Sequence, residues 1–131
     1  VVHGEDGLDE ITTTGATHAA WLDAGRVQPM RIEPEALGVA RAQPEALRGG
    51  DARENARIAR AVLDGEAGPR LEIVLVNAGA ALWVAGAAAD LRAGVALARE
   101  SIASGAAKAK LAALAAATQA ADRAAAAAAR A

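Results

Sequence analysis

Val1-Val2-His3-Gly4-Glu5-Asp6-Gly7-Leu8-Asp9-Glu10-Ile11-Thr12-Thr13-Thr14 opens the chain, and its reading decides how everything downstream is arranged. Four of the 16 carboxylates of the sequence, Glu5, Asp6, Asp9 and Glu10, fall within six residues, and Gly4 and Gly7 punctuate them. Negative charge at that density needs water or a cation to compensate it. Carboxylates without cysteine suit a hard cation such as Mg²⁺ or Ca²⁺. In an extended strand neighbouring side chains point to opposite faces, so Asp9 and Glu10 can meet one ion only where the backbone turns. Glycine at positions 4 and 7 permits such a turn through positive φ. Val1-Val2 is therefore read as the end of a buried strand, and Gly4 to Glu10 as an acidic loop beyond it. By residue type alone, a solvated turn and a metal site are both open, and charge runs are usually solvated. The EF-hand spacing D-x-[DN]-x-[DN]-G is absent.

The 131 residues suffice for one domain with a modest core. Hydrophobic residues make up 53%, but many are alanine, and aromatics are only 2%, both tryptophan. The absence of cysteine excludes a disulfide framework, a thiolate nucleophile and Cys-based zinc. A net charge of −2 and a pI of about 5.7 leave no electrostatic footprint for nucleic acid. No apolar run is long enough for a membrane span, and no signal peptide is visible. The expected location is cytoplasmic, with neither membrane nor nucleic acid as partner. The sequence lacks an initiator Met and opens on what reads as a strand without neighbours, which predicts the C-terminal part of a longer protein.

Downstream, Thr17–Leu22 and 26–32 flank Asp23-Ala24-Gly25, a hairpin pattern with Pro29 marking the second strand as an edge. His18 on the first strand is read as a surface residue. Short helical turns are expected at Pro34–Leu37 and Pro44–Leu47, each with proline in the first turn. Asp51 and Glu54 form an acidic capping box for a helix with Ala52, Ala56, Ala59 and Leu63 on one face, stopped by Gly65. Gly49-Gly50 is read as structural, because Asp51 places a carboxylate where an anion would sit. Arg53, Arg57 and Arg60 form a solvated basic stripe. Leu71 to Ala85, opened by Gly68-Pro69, fits a buried helix through Leu71, Val74, Leu75, Ala78, Leu82 and Ala85. Within it, Asn77 is expected to satisfy nearby backbone. Asp90 N-caps a helix striped by Leu91, Val95, Ala98 and Ile102 and ended by Ser104-Gly105. A last helix is predicted from Lys108 to about Thr118, with Leu111, Leu114 and Thr118 on one side. Residues 120–131, almost all alanine with Asp122, Arg123 and Arg130, are expected to be a frayed helical tail.

The run His3–Glu10 resembles the "HG-x-x-G-L-D-E" segment of the anthranilate phosphoribosyltransferases. The resemblance continues through Pro34–Gly38, Leu47–Ala56, Val74–Leu82, Gly94–Glu100 and Ser104-Gly105, in the family's order and spacing, over residues 1 to about 119. It implies an α/β fold: the C-terminal part of a phosphoribosyltransferase or nucleoside-phosphorylase-like α/β domain, here a short strand and a β-hairpin followed by helices. Residues 1–119 would belong to the catalytic domain and 120–131 to the tail.

The implied function is Mg²⁺-dependent transfer of a phosphoribosyl group from phosphoribosyl pyrophosphate to anthranilate, in tryptophan biosynthesis, by an enzyme that is a homodimer when complete. In the family the Asp-Glu pair binds magnesium, and it matches Asp9 and Glu10; Glu5 and Asp6 add to the local negative field. The family's G-T-G-G-D loop, its K-H-G-N segment and the arginine that meets anthranilate do not occur here. The chain is thus expected to hold part of a metal site, no catalytic residue of its own, and no activity alone. A pyrimidine nucleoside phosphorylase-like enzyme and a non-catalytic nucleic-acid-binding relative of the same fold are the alternative readings.

Overall fold

The structure, a computed structural model, describes residues 1–128. Three strands, β1 (Val2–Gly4), β2 (Thr17–Asp23) and β3 (Arg26–Ile32), form an antiparallel sheet in the order β1-β2-β3. Two 3₁₀ turns follow, at Pro34–Leu37 and Pro44–Leu47, and then four helices: α1 (Ala52–Leu63), α2 (Pro69–Val84), α3 (Leu91–Ala103) and α4 (Ala106–Ala128). The expected order of strand, hairpin and helices is the observed one.

The opening strand differs from its sequence reading. It runs to Gly4, Val1 is 98% exposed, and its neighbour is β2, with Val2 opposite Ala19 and Gly4 opposite Thr17. Ala24 and Gly25, with φ of 46° and 78°, make the two-residue turn of the hairpin, the geometry that matches the twist of paired strands. β3 is an edge, as Pro29 requires. Val2, Thr17, Ala19, Trp21, Met30 and Ile32 share the inner face, while His3, His18 and Arg31 share the outer one.

α2 is the central element, and buried side chains gather on two sides of it. Val76 packs with Ile11, Ile32, Val39 and Leu91, joining the helix to the sheet and the loop after β1. Trp83 stacks on Trp21 with ring centroids 4.1 Å apart. On the other side Leu71 and Leu75 pack with Val62 of α1 and Val95 and Ala98 of α3. The predicted α2 stripe is thereby corrected. Val74 is 41% exposed and Ala85 is exposed, whereas Val76, outside that stripe, is fully buried. A helix covered from two directions does not follow a single stripe.

α1 needs a similar correction. Asp51 accepts from the Glu54 amide as a cap, but the Glu54 carboxylate turns to Arg57 and does not close the box. The inward residues are Val62 and, half-buried, Ile58, Ala61 and the predicted Ala56 and Leu63; of the predicted face, Ala52 and Ala59 are exposed instead. Branched side chains remove more apolar area from water than alanine does, so they take the core. Gly65, at φ 81°, ends the helix as expected.

In α3 the predicted stripe is buried at Leu91, Val95 and Ala98, and Asp90 caps the helix by accepting from the Ala93 amide at 2.7 Å. α4 is longer than predicted. It passes Thr118 unbroken to Ala128, because alanine carries no stop signal. Its Leu111 and Leu114, on the side expected to be apolar, are 42% and 59% exposed. Residues 129–131, including Arg130 of the expected tail, lie outside the described residues.

Candidate metal and phosphate site

The acidic loop is built around one of its own carboxylates. Asp6 accepts from the hydroxyls of Thr12, at 2.5 Å, and Thr14, and from the Leu8 amide at 3.1 Å. Gly4 donates to the Leu8 carbonyl and Gly7 to the Gly4 carbonyl, closing the turn. Gly7 alone of the two takes positive φ, at 92°. Gly4 is needed for another reason: a Cβ there would collide with the Asp6 carboxylate and meet Thr12 at 3.0 Å. Burial pushes the Asp6 carboxyl up, but the two threonine hydroxyls and the Leu8 amide outweigh it and hold the group below its ordinary 3.8. Thr12 and Thr13, read from sequence only as β-branched and polar, are fully buried under the loop.

Glu5 is also committed. It bonds to Arg31 and lies 3.2 Å from His18 Nε2, and the guanidinium keeps its carboxyl below the usual range. His18 is itself exposed, as expected. Two of the four clustered carboxylates are thus bound to the protein, one as scaffold and one as ion pair. Asp9 and Glu10 are the remainder. Both are exposed, both lie where the backbone bends, and neither has a hydrogen-bond or ion-pair partner among the described residues.

The loop is anchored on its far side by Asn77. Its Oδ1 accepts from the Ile11 amide at 2.9 Å, and its Nδ2 donates to the Ile11 carbonyl at 2.9 Å and the Ile73 carbonyl at 3.0 Å. One side chain therefore fixes the residue after Glu10 to the central helix, in the backbone-satisfying role expected of it. Gly49-Gly50 is structural as read: Asn55 brackets Gly50 through both its amide and its carbonyl. A Cβ on Gly49 would lie 2.5 Å from Asn55 Oδ1. The Gly50 amide is thus already used, and so is the Glu54 amide at Asp51. Arg53, Arg57 and Arg60 are solvated, with Arg57 paired to Glu54.

Asp9 and Glu10 fit magnesium in a particular way. No group of three or more His, Asp or Glu side chains close enough to hold a metal occurs among the described residues. Mg²⁺ is commonly held by only one or two carboxylates, with substrate phosphates and water completing its octahedron. Two unpartnered carboxylates where the backbone bends could contribute to a site of that kind.

The chain matches the model of the glycosyl transferase family, a/b domain, over residues 1–108, and it belongs to that family. Within it, the chain is similar to the anthranilate phosphoribosyltransferases. It is 59% identical to that of Azorhizobium caulinodans over 111 residues, covering 85% of this chain and 32% of the relative. Against that of Azospirillum brasilense it is 57% identical over 111 residues, 85% of this chain and 31% of the relative. The structure superposes on the Thermus thermophilus anthranilate phosphoribosyltransferase with a TM-score of 0.72 at 44% identity, covering 80% of this chain and 31% of that one. With the Saccharomyces cerevisiae enzyme in complex with PRPP and Mg the TM-score is 0.71 at 27% identity, over 79% and 30% of the chains. The chain spans about a third of the length of the relatives it matches. No helix among the described residues is long and apolar enough to cross a membrane.

Proposed function

We propose that this chain supplies the magnesium-binding edge of an anthranilate phosphoribosyltransferase, with Asp9 and Glu10 as the metal ligands. The observation that carries the reading is the division of labour in the acidic loop: Glu5 and Asp6 are spent within the protein, and Asp9 and Glu10 are left free. The reaction breaks the bond from C1 of the ribose to pyrophosphate and forms a bond from C1 to the anthranilate amine, which loses a proton. Mg²⁺, when bound, neutralises the departing pyrophosphate.

What the chain's own residues do is positional. Asp6 and its threonines fold the turn, Asn77 pins its end, and Asp9 and Glu10 are held where phosphate oxygens can share an ion with them. Phosphoribosyl pyrophosphate and anthranilate contacts would come from polypeptide of the kind that the relatives carry outside the matched third, so the chain by itself is inactive. In this reading residues 1–119 are part of the catalytic domain, 120–131 are an appendage, and the complete enzyme is a cytoplasmic homodimer. The anthranilate phosphoribosyltransferase relatives at 59% and 57% identity favour this activity over a nucleoside phosphorylase or a nucleic-acid binder.

The test is a hybrid in which residues 1–111 replace the matching third of the Azorhizobium caulinodans relative. The hybrid should bind Mg²⁺ with phosphoribosyl pyrophosphate in calorimetry and turn over anthranilate. Asp9→Asn with Glu10→Gln should cost activity about a hundredfold or more. Asn77→Ala, which touches no ligand, should lower Mg²⁺ affinity by about tenfold or more. Unchanged magnesium binding and turnover in the double variant would sink the assignment.

A further inference from the structure

α2 carries two polar side chains that each tie a distant loop to it. Asn77 holds both backbone groups of Ile11, the residue after Glu10. Arg70 lies seven residues earlier, about two helical turns away on the same side of the helix. Its Nη2 donates to the Arg48 carbonyl at 2.7 Å. Asn55 of α1 holds the next stretch of that second loop, accepting from the Gly50 amide at 2.8 Å and donating to the Gly50 carbonyl at 3.0 Å. The two loops contribute to one cleft of about 570 Å³, Glu10 from the first and Gly49 from the second, with Arg70 in its wall.

Arg70 stands there against a penalty. Its Nε is buried and has no hydrogen-bond partner among the described residues. A charged donor buried without an acceptor is costly, and an apolar side chain of similar length would avoid that cost. What arginine supplies, and an apolar residue does not, is the bond to the Arg48 carbonyl.

We infer that Arg70 is a positioning residue: through the Arg48 carbonyl it sets the spacing between the loop at residues 48–50 and the acidic loop, and so the opening that phosphoribosyl pyrophosphate meets beside Glu10. The inference rests on the function proposed above. The acidic loop itself is folded by Asp6 and pinned by Asn77, so removal of Arg70 leaves the metal carboxylates in place and falls on substrate binding. At such a residue function and stability separate, whereas a purely structural side chain moves them together.

The experiment uses the hybrid described above and the chain of 131 residues. In the hybrid, Arg70→Met should raise KM for phosphoribosyl pyrophosphate about tenfold, the scale on which supporting residues act at a metal site, with kcat within about twofold of the parent. In the chain itself the same change should leave the melting midpoint within about 2 °C of the parent, or raise it. Arg70→Lys, which keeps a donor for the Arg48 carbonyl, should recover most of the lost KM. An unchanged KM in Arg70→Met, an equal loss in kcat, a KM that Arg70→Lys does not recover, or a midpoint several degrees lower would each overturn the inference. The hybrid with Asp9→Asn and Glu10→Gln keeps the two readings apart. If it binds magnesium and turns over normally while Arg70→Met still raises KM, the metal assignment fails alone. If it loses both while Arg70→Met changes nothing, the positioning role fails alone.

Discussion

Asp6 shows how one residue can decide the roles of its neighbours. Its carboxylate collects two hydroxyls and an amide, and Gly4 is kept bare to let it in. Because the folded protein holds Asp6 below 3.8, its contribution to stability is present above that pH and is lost as the pH falls through the lowered value. Urea midpoints measured from about pH 7 down to about pH 2.5 should therefore fall less steeply below about pH 4 in Asp6→Asn than in the parent chain. Parallel curves would mean that Asp6 is not held in this way. Residue type left a solvated turn and a metal site both open, and the resemblance to the family singled out Asp9 and Glu10. The commitment of Glu5 to Arg31, 26 positions away, was not legible, since it depends on β3 folding back beside the loop.

At the scale of elements, α2 and α3 approach each other backbone to backbone at Gly79 and Gly94. A Cβ on Gly79 would lie 2.5 Å from the Val95 nitrogen and 2.8 Å from the Gly94 carbonyl carbon, and one on Gly94 would collide with the Gly79 carbonyl. In an ordinary helix interior, Gly→Ala stabilises by roughly 0.5–1 kcal/mol. Here the sign should reverse: Gly94→Ala is expected to cost about 1–3 kcal/mol or more, read as a lower melting midpoint. A stabilised Gly94→Ala would show that the two backbones are not in contact. The helix itself was readable from Gly68-Pro69 and the apolar spacing that follows. Its buried face was not, because Val76 and Leu75 are claimed by different neighbours, the sheet side and α3.

For the whole molecule, the distribution of burial separates what folds from what projects. Every described residue of α4 from Lys108 onward whose side chain is defined is exposed. Truncation after Thr118 should therefore change stability by less than about 0.5 kcal/mol. A larger loss would show that the alanine-rich end docks on the domain. Local chemistry was enough to specify the punctuation of this chain: Asp51 and Asp90 as caps, Gly65 as a stop, Ala24-Gly25 as a turn, Asn77 as a backbone anchor, and an acidic loop rich enough for a cation. Each of these depends on groups within a few residues or on a polar side chain that burial obliges to find partners. Only the tertiary structure decided which two of four carboxylates remain free and which face of α2 is covered. Those outcomes turn on segments far apart in sequence competing for the same apolar surface and the same hydrogen-bond donors, and no local pattern records who wins.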